Sequence, residues 1–190
     1  MATDLNIPWK RYGLIAELAK KMESQQSQFG KTALQKMLFL LQEVYGVDCG
    51  YDFSLYTYGP FSSQIVQDLD FVETSKGVKV QNVAPMAGGY IISPGEETDR
   101  LRKKAENFLN KTNVQNAFSK LINQFGYYSA RDLELISTIV YVARDLKNDE
   151  GDLAREKIVQ RVKQLKPKFS EETIDSKIQK LLADDCIEVH

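Results

Sequence analysis

Apolar residues at helical spacing predict two helices in the first quarter of the chain. The segment 8–23 has a proline in its first turn and then apolar side chains every three or four residues, at Leu14, Ile15, Leu18 and Met22. In the segment 31–45 the apolar stripe is much wider, so we expect this second helix to lie at the centre of a core. Gly46 is placed to end it.

The aromatic segment YDFSLYTYGPF, 51–61, predicts a strand, because Phe53, Leu55 and Thr57 alternate with Ser54, Tyr56 and Tyr58. The Gly59–Pro60 pair should stop this strand and begin a helix that continues to Thr74, since proline is preorganised for a first helical turn. Two short strands, 78–83 and 89–93, then form a hairpin. Helix, helix, strand, helix and hairpin is the order of a winged helix-turn-helix domain.

The second half of the chain predicts further helices. They cover 97–109, 114–125, a buried helix from 131 to 146 capped by Ser129, and two helices on either side of Pro167, the second opened by Ser170. An acidic loop is expected at 147–152 and a short strand at 187–189. The two helices on either side of Pro167, followed by the short strand, form a second helix-turn-helix outline.

We therefore expect a mainly α protein with small β-hairpins (α+β), winged helix-turn-helix-like, with one or two units. Residues 1–95 would form a winged-helix-like domain with the aromatic strand and the Tyr-Gly-Pro turn, and 96–190 a helical region with the second unit. Apolar side chains on the helices of 97–125 would serve either a homodimer interface or ordinary core packing, and the sequence leaves both open: Leu101, Phe108, Phe118, Leu121, Ile122 and Phe125.

Composition narrows the class of protein. The chain has 190 residues, with 25 Lys and Arg against 26 Asp and Glu and a net charge of -1. This balance argues against a protein that coats nucleic acid or membranes, but it allows a local basic patch. Cys49 and Cys186 match no metal-ligand spacing, and we expect reduced thiols. No apolar run approaches bilayer length and the first residues do not resemble a secretory signal, so we expect a cytoplasmic protein without a membrane partner.

The sequence offers little for catalysis. Its one histidine is His190, the last residue, so no Ser-His or Cys-His pair can be built on a rigid scaffold. Neither a phosphate-binding loop nor a dinucleotide fingerprint is present, and the carboxylate pairs lie at helix ends, where capping explains them. We expect no enzyme, no cofactor and no metal; catalysis by carboxylates is the third choice.

Binding of nucleic acid is the second of the possible functions, after protein recognition. The helix expected at 60–74 has no Arg or Lys, and its Asp68, Asp70 and Glu73 would repel phosphates. The best basic patch is a cluster on the helix 155–168: Lys157, Arg161, Lys163, Lys166 and Lys168. It is either the DNA contact of a transcriptional regulator or a solvated helix face paired with neighbouring acids, and we favour the solvated face.

The aromatic cluster at 51–61 favours protein recognition. Phe53 and Phe61 are expected to pack in the core, whereas Tyr56 and Tyr58 could be buried or exposed with even odds. Exposed tyrosines supply large contact area at low entropic cost. The candidate partner-binding residues are Tyr56, Tyr58, Gly59, Pro60, Ser63, Gln64 and Gln67.

Two segments, LQKMLFLLQ at 34–42 and FSLYTYGPFSSQIVQDLDFV at 53–72, resemble the YwgA-like group of uncharacterised bacterial and archaeal proteins. They are more distantly similar to the Panacea domain of toxin–antitoxin antitoxins. The resemblance covers roughly residues 8–93, and Tyr58, Gly59 and Pro60 match its turn. It implies a winged-helix-like, mostly helical fold and, for the Panacea group, binding of a partner toxin. We thus expect a non-catalytic regulatory or antitoxin-like interaction module, with DNA binding through 155–168 as the alternative.

Overall fold

A computed structural model describes residues 7–25, 28–84, 89–150 and 154–188. These residues form a mostly helical α+β structure. In chain order its elements are α1 (Trp9–Met22), α2 (Lys31–Glu43), β1 (Ser54–Tyr56), β2 (Gly59–Phe61), α3 (Ser63–Thr74), β3 (Val78–Ala84), β4 (Gly89–Pro94), α4 (Thr98–Lys104), α5 (Glu106–Leu109), α6 (Thr112–Phe125), α7 (Ala130–Glu150), α8 (Arg155–Leu165) and α9 (Glu171–Ala183). Each strand pair, β1–β2 and β3–β4, is an antiparallel hairpin. The predicted α+β class is confirmed at this level.

Helix α2 lies in the middle of the core, as its wide apolar stripe predicted. Every residue from Ala33 to Leu41 is buried, and the helix packs against α6, α7 and the β1–β2 hairpin. Helix α7 is equally enclosed between Leu133 and Val140. Buried side chains from α1 through α9 belong to one contiguous apolar cluster. The hairpin β1–β2 therefore rests on two deeply buried helices, α2 and α7.

The helix expected at 60–74 begins three residues later than predicted. Gly59 and Pro60 do not start it; they pair with Tyr56 and Leu55 in the β1–β2 hairpin, and α3 begins at Ser63. Proline is tolerated in this short two-stranded ribbon because an edge position does not need its missing N–H. The segment 51–61 is thus a hairpin around Thr57 and Tyr58 rather than one strand followed by a helix.

Three further expectations need correction. The helix predicted over 97–109 is two helices, because Ala105 leaves helical geometry. At this point Ala105 contacts Gly13 of α1 so closely that there is no room for a Cβ on the glycine. The acidic loop predicted from Lys147 continues α7 to Glu150, and the rest of that loop lies outside the described residues. Residues 187–188 are not a strand in the described structure; Val189 lies outside it.

The helix caps were predicted correctly. The Ser129 hydroxyl accepts a hydrogen bond from the Asp132 amide at 3.1 Å at the start of α7. The Ser170 hydroxyl accepts one from the Thr173 amide at 3.2 Å at the start of α9. Both are N-cap contacts that satisfy a first-turn N–H group. The hairpin β3–β4 also occurs where it was predicted.

Candidate functional site

The turn of the β1–β2 hairpin carries the two most exposed aromatic side chains of the described residues. Tyr56 is 67% exposed and Tyr58 is 62% exposed, whereas Gly59 and Pro60 between this turn and α3 are buried. The Tyr56 ring lies 5.8 Å from the ring of Phe61 on the facing strand. The hairpin thus presents aromatic surface to solvent directly before the buried residues Gly59 and Pro60.

Gly59 brings the hairpin against α7. Its φ of +88° lies in the left-handed region that favours glycine. A Cβ at this position would stand 2.9 Å from the Thr138 hydroxyl and 3.3 Å from the Glu134 carbonyl oxygen. Glycine is therefore required here both by the backbone conformation and by the close approach to α7.

Side chains of α2 hold the second strand of the hairpin. The Lys36 ammonium donates to the Pro60 carbonyl at 2.7 Å. The Gln35 amide donates to the Ser62 carbonyl at 2.9 Å and accepts from the Ser62 N–H at 3.0 Å. Lys36 is buried, and this burial, helped by the charge of Lys166, lowers its pKa to about 8. The strand leaving the turn is thereby tied to the central helix.

A second anchor joins the turn to α7 and to the segment after α8. The buried Lys166 ammonium donates to the Thr57 carbonyl at 2.6 Å and to the Glu134 carboxylate at 2.8 Å. The half-exposed Lys168 reaches the other carboxylate oxygen of Glu134 at 3.1 Å. Burial alone would raise the pKa of Glu134, but the hydrogen bonds from the two lysines outweigh it and hold that pKa below its ordinary value.

The hairpin, α2 and α3 enclose a groove of about 280 Å³. We call it the hairpin groove. Most of its surface is apolar, and its lining residues are Lys31, Thr32, Leu34, Gln35, Lys36, Tyr56, Tyr58, Gly59, Phe61, Ile65, Val66 and Leu69. Val66, which is 41% exposed, adds an aliphatic side chain beside the tyrosines. Exposed apolar surface gathered at one concave place is typical of an interaction site.

The structure brings together part of the partner-binding set predicted from the sequence. Tyr56, Tyr58 and Gly59 line the hairpin groove, while Pro60 is buried in β2. On α3, Ser63 and Gln67 are exposed and Gln64 is half-buried, but none of these three lines the groove. Sequence reasoning missed the α2 side of the groove, because the lysines of a helix with a wide apolar stripe were not examined as site residues.

The basic cluster predicted as the alternative site does not form one continuous surface. Lys157 and Arg161 are exposed one turn apart on α8. The ammonium of Lys163 donates to the Pro167 and Phe169 carbonyls, at 3.1 and 2.8 Å. Lys166 is only 3% exposed, and Lys168 is paired with Glu134. Lys166 thus faces the protein interior, where it cannot contact a phosphate.

A second cavity of about 410 Å³ adjoins the hairpin groove at Lys31 and Thr32. It is larger, but its lining is more polar and includes exposed Tyr127, whose hydroxyl accepts from the Lys180 ammonium at 2.6 Å. That hydrogen bond lowers the pKa of Tyr127. The Tyr127 hydroxyl is thus already engaged, whereas the hydroxyls of Tyr56 and Tyr58 make no hydrogen bond within the described residues. The hairpin groove is the better candidate for binding a partner.

Among the described residues, no group of His, Cys, Asp and Glu side chains is arranged to hold a metal ion. The thiol of Cys49 is buried, and burial raises its pKa, so it has little thiolate character. None of the helices in the described ranges has the length and apolar content needed to span a bilayer. No family model matches the chain, and no curated protein is significantly similar to it.

Proposed function

We propose that this protein is a non-catalytic interaction module, of a regulatory or antitoxin-like kind, that binds a protein partner through the hairpin groove. The observation that carries the proposal is the exposure of Tyr56 and Tyr58 on a hairpin whose backbone is held by Lys36 and Lys166. Tyrosine is enriched among the residues that dominate binding energy, and such residues act at concave, well-packed sites.

The rigidity of the hairpin supports this proposal. Lys36 and Lys166 each donate to a carbonyl of the segment 57–60, and Gly59 packs directly on α7. A turn held in this way loses little conformational entropy when a partner binds, so more of the contact energy appears as affinity. An isolated exposed loop with the same two tyrosines would lose much of that energy in becoming ordered.

The winged-helix-like arrangement is a further part of the proposal. The order α1, α2, α3 and the hairpin β3–β4 supports it, as does the resemblance of 34–42 and 53–72 to YwgA-like proteins. The Panacea-like similarity is the basis for the antitoxin-like role. In a DNA-binding version of this arrangement α3 would face the phosphates, but its exposed Asp70 opposes that use.

The test is a capture experiment with matched variants. Tyr56→Ser combined with Tyr58→Ser removes the aromatic surface, while Tyr127→Ser removes an exposed tyrosine that does not line the hairpin groove. Partners cross-linked to the wild-type protein in its host cell should be retained by the Tyr127 variant. They should bind the double variant at least about tenfold more weakly, since loss of two aromatic anchors typically costs more than about 1.4 kcal/mol.

Equal capture by the double variant would show that the hairpin groove is not the binding site. The DNA alternative has its own signature: affinity for random duplex DNA that falls between about 50 and about 200 mM salt and is lost on Arg161→Glu. That result would replace the present proposal with a transcriptional regulator.

A further inference from the structure

The hairpin groove has a mostly apolar surface, but the charged residues along it are positive. Its described lining residues include Lys31 and Lys36 but no aspartate or glutamate. Lys168 adds a half-exposed ammonium 6.0 Å from the centre of the Tyr58 ring. The groove is therefore an apolar concavity bordered by positive charge.

The buried anchors behind the hairpin reinforce this bias. The ammonium groups of Lys36, Lys166 and Lys168 lie behind the turn. The carboxylate of Glu134 contacts Lys166 and Lys168, whereas Lys36 donates to the Pro60 carbonyl. Positive charge thus exceeds negative charge beneath the hairpin. In the low dielectric of a core such an excess is poorly screened, so it favours anionic groups at the adjoining surface.

The dimensions of the groove indicate what kind of partner fits. Its volume of about 280 Å³ falls just below the usual range of small-molecule sites, about 300–1,000 Å³. Exposed Tyr56, Tyr58 and Val66 extend the apolar surface beyond the concavity itself. A few side chains of a protein segment would fill the groove, while the rest of the segment would lie across these three residues.

We propose that the hairpin groove receives an acidic amphipathic segment of a partner protein. Its apolar side chains enter the groove, and its carboxylates lie beside Lys31 and Lys168. This inference rests on the proposed function, and it specifies the partner's chemistry. Asp70, on α3 one turn after Val66, is the exposed acidic residue nearest in sequence to the α3 side of the groove and opposes such a partner.

The probe is a phage-displayed library of random peptides selected on the 190-residue chain. We expect the enriched sequences to combine Asp or Glu with Leu, Ile or Phe. The affinity of a labelled enriched peptide should fall about five- to tenfold in the variant Lys31→Glu with Lys168→Gln, because two favourable charge contacts are lost and one is reversed. Lys120→Glu, an exposed position on α6, is the matched control and should leave affinity unchanged.

Asp70→Lys keeps the test independent of folding, because a misfolded variant cannot gain affinity. It should bind the same peptide about two- to fivefold more tightly. Two outcomes would overturn the inference and leave the proposed function intact. One is enrichment of neutral or basic peptides. The other is a peptide affinity that is unchanged by these charge substitutions but falls in the Tyr56→Ser, Tyr58→Ser variant. No enrichment, or peptides that bind equally well without the two tyrosines, would overturn both.

Discussion

Replacing Glu134 with glutamine should destabilise the fold, because it leaves the buried ammonium of Lys166 without its counter-ion. Lys166 is 3% exposed, and its ammonium would retain the hydrogen bond to the Thr57 carbonyl. Breaking a buried pair by removing one partner costs about 3–5 kcal/mol. Glutamine can still accept one hydrogen bond, so we expect the lower end, about 3 kcal/mol, against a total stability of about 5–15 kcal/mol for a protein domain.

The loss should depend on pH in a defined direction. The pKa of Glu134 in the folded protein is held below its ordinary value of 4.5. A carboxyl group with a lowered pKa stabilises the fold fully above its unfolded pKa, and this contribution disappears as the pH falls through the folded pKa. The difference in unfolding free energy between wild type and variant should therefore be largest near neutral pH and shrink below 4.5.

Urea denaturation followed by circular dichroism measures both effects. The control is Glu23→Gln, which breaks an exposed pair with Lys20 and should cost less than about 1 kcal/mol. Adding Lys166→Met to Glu134→Gln should recover stability, since it removes the buried ammonium that the first substitution leaves without a counter-ion. A loss below about 1 kcal/mol for Glu134→Gln, or a double variant less stable than the single one, would refute the reasoning.

Three further predictions concern stability and can be measured by the same denaturation assay. Gly59→Ala should cost about 2 kcal/mol or more, because its φ is +88° and its Cβ would meet the Thr138 hydroxyl; an unchanged midpoint would contradict this. Lys36→Met should alter how the free energy of unfolding depends on pH. The pKa of Lys36 is about 8 in the folded protein against an ordinary value of 10.5, so between these values the unfolded chain binds one proton more than the folded protein. The stability of the wild type should therefore rise with pH in this range relative to the variant. Parallel profiles would show that the pKa of Lys36 is not lowered in the folded protein. Ser170→Ala should cost about 1 kcal/mol through loss of the α9 cap, and an effect near zero would show that the cap contributes nothing.

Much of the helical structure could be predicted from the sequence because the signals are local. The wide apolar stripe of α2, the caps at Ser129 and Ser170 and the hairpin β3–β4 each depend on residues within a few positions of one another. Local alternation also identifies Tyr56 and Tyr58 as candidates, although alternation does not specify whether their side chains are exposed. Exposure depends on what lies across the turn, which periodicity does not specify.

The remaining features were decided only by the tertiary structure. Gly59 and Pro60 resemble a helix start in the sequence, but in the structure they pair with β1. Lys36, which is 24 residues away in sequence, donates a hydrogen bond to the Pro60 carbonyl. Glu134 was not recognised as a site residue, although it is the one charged residue in the otherwise uncharged stretch 133–143 of α7, which is a usable signal. Lys166 was interpreted as a surface cation, yet it reaches Thr57 across 109 residues. Buried charges must find partners wherever the fold brings them, and so their pairing is a property of the packed structure that local sequence cannot specify.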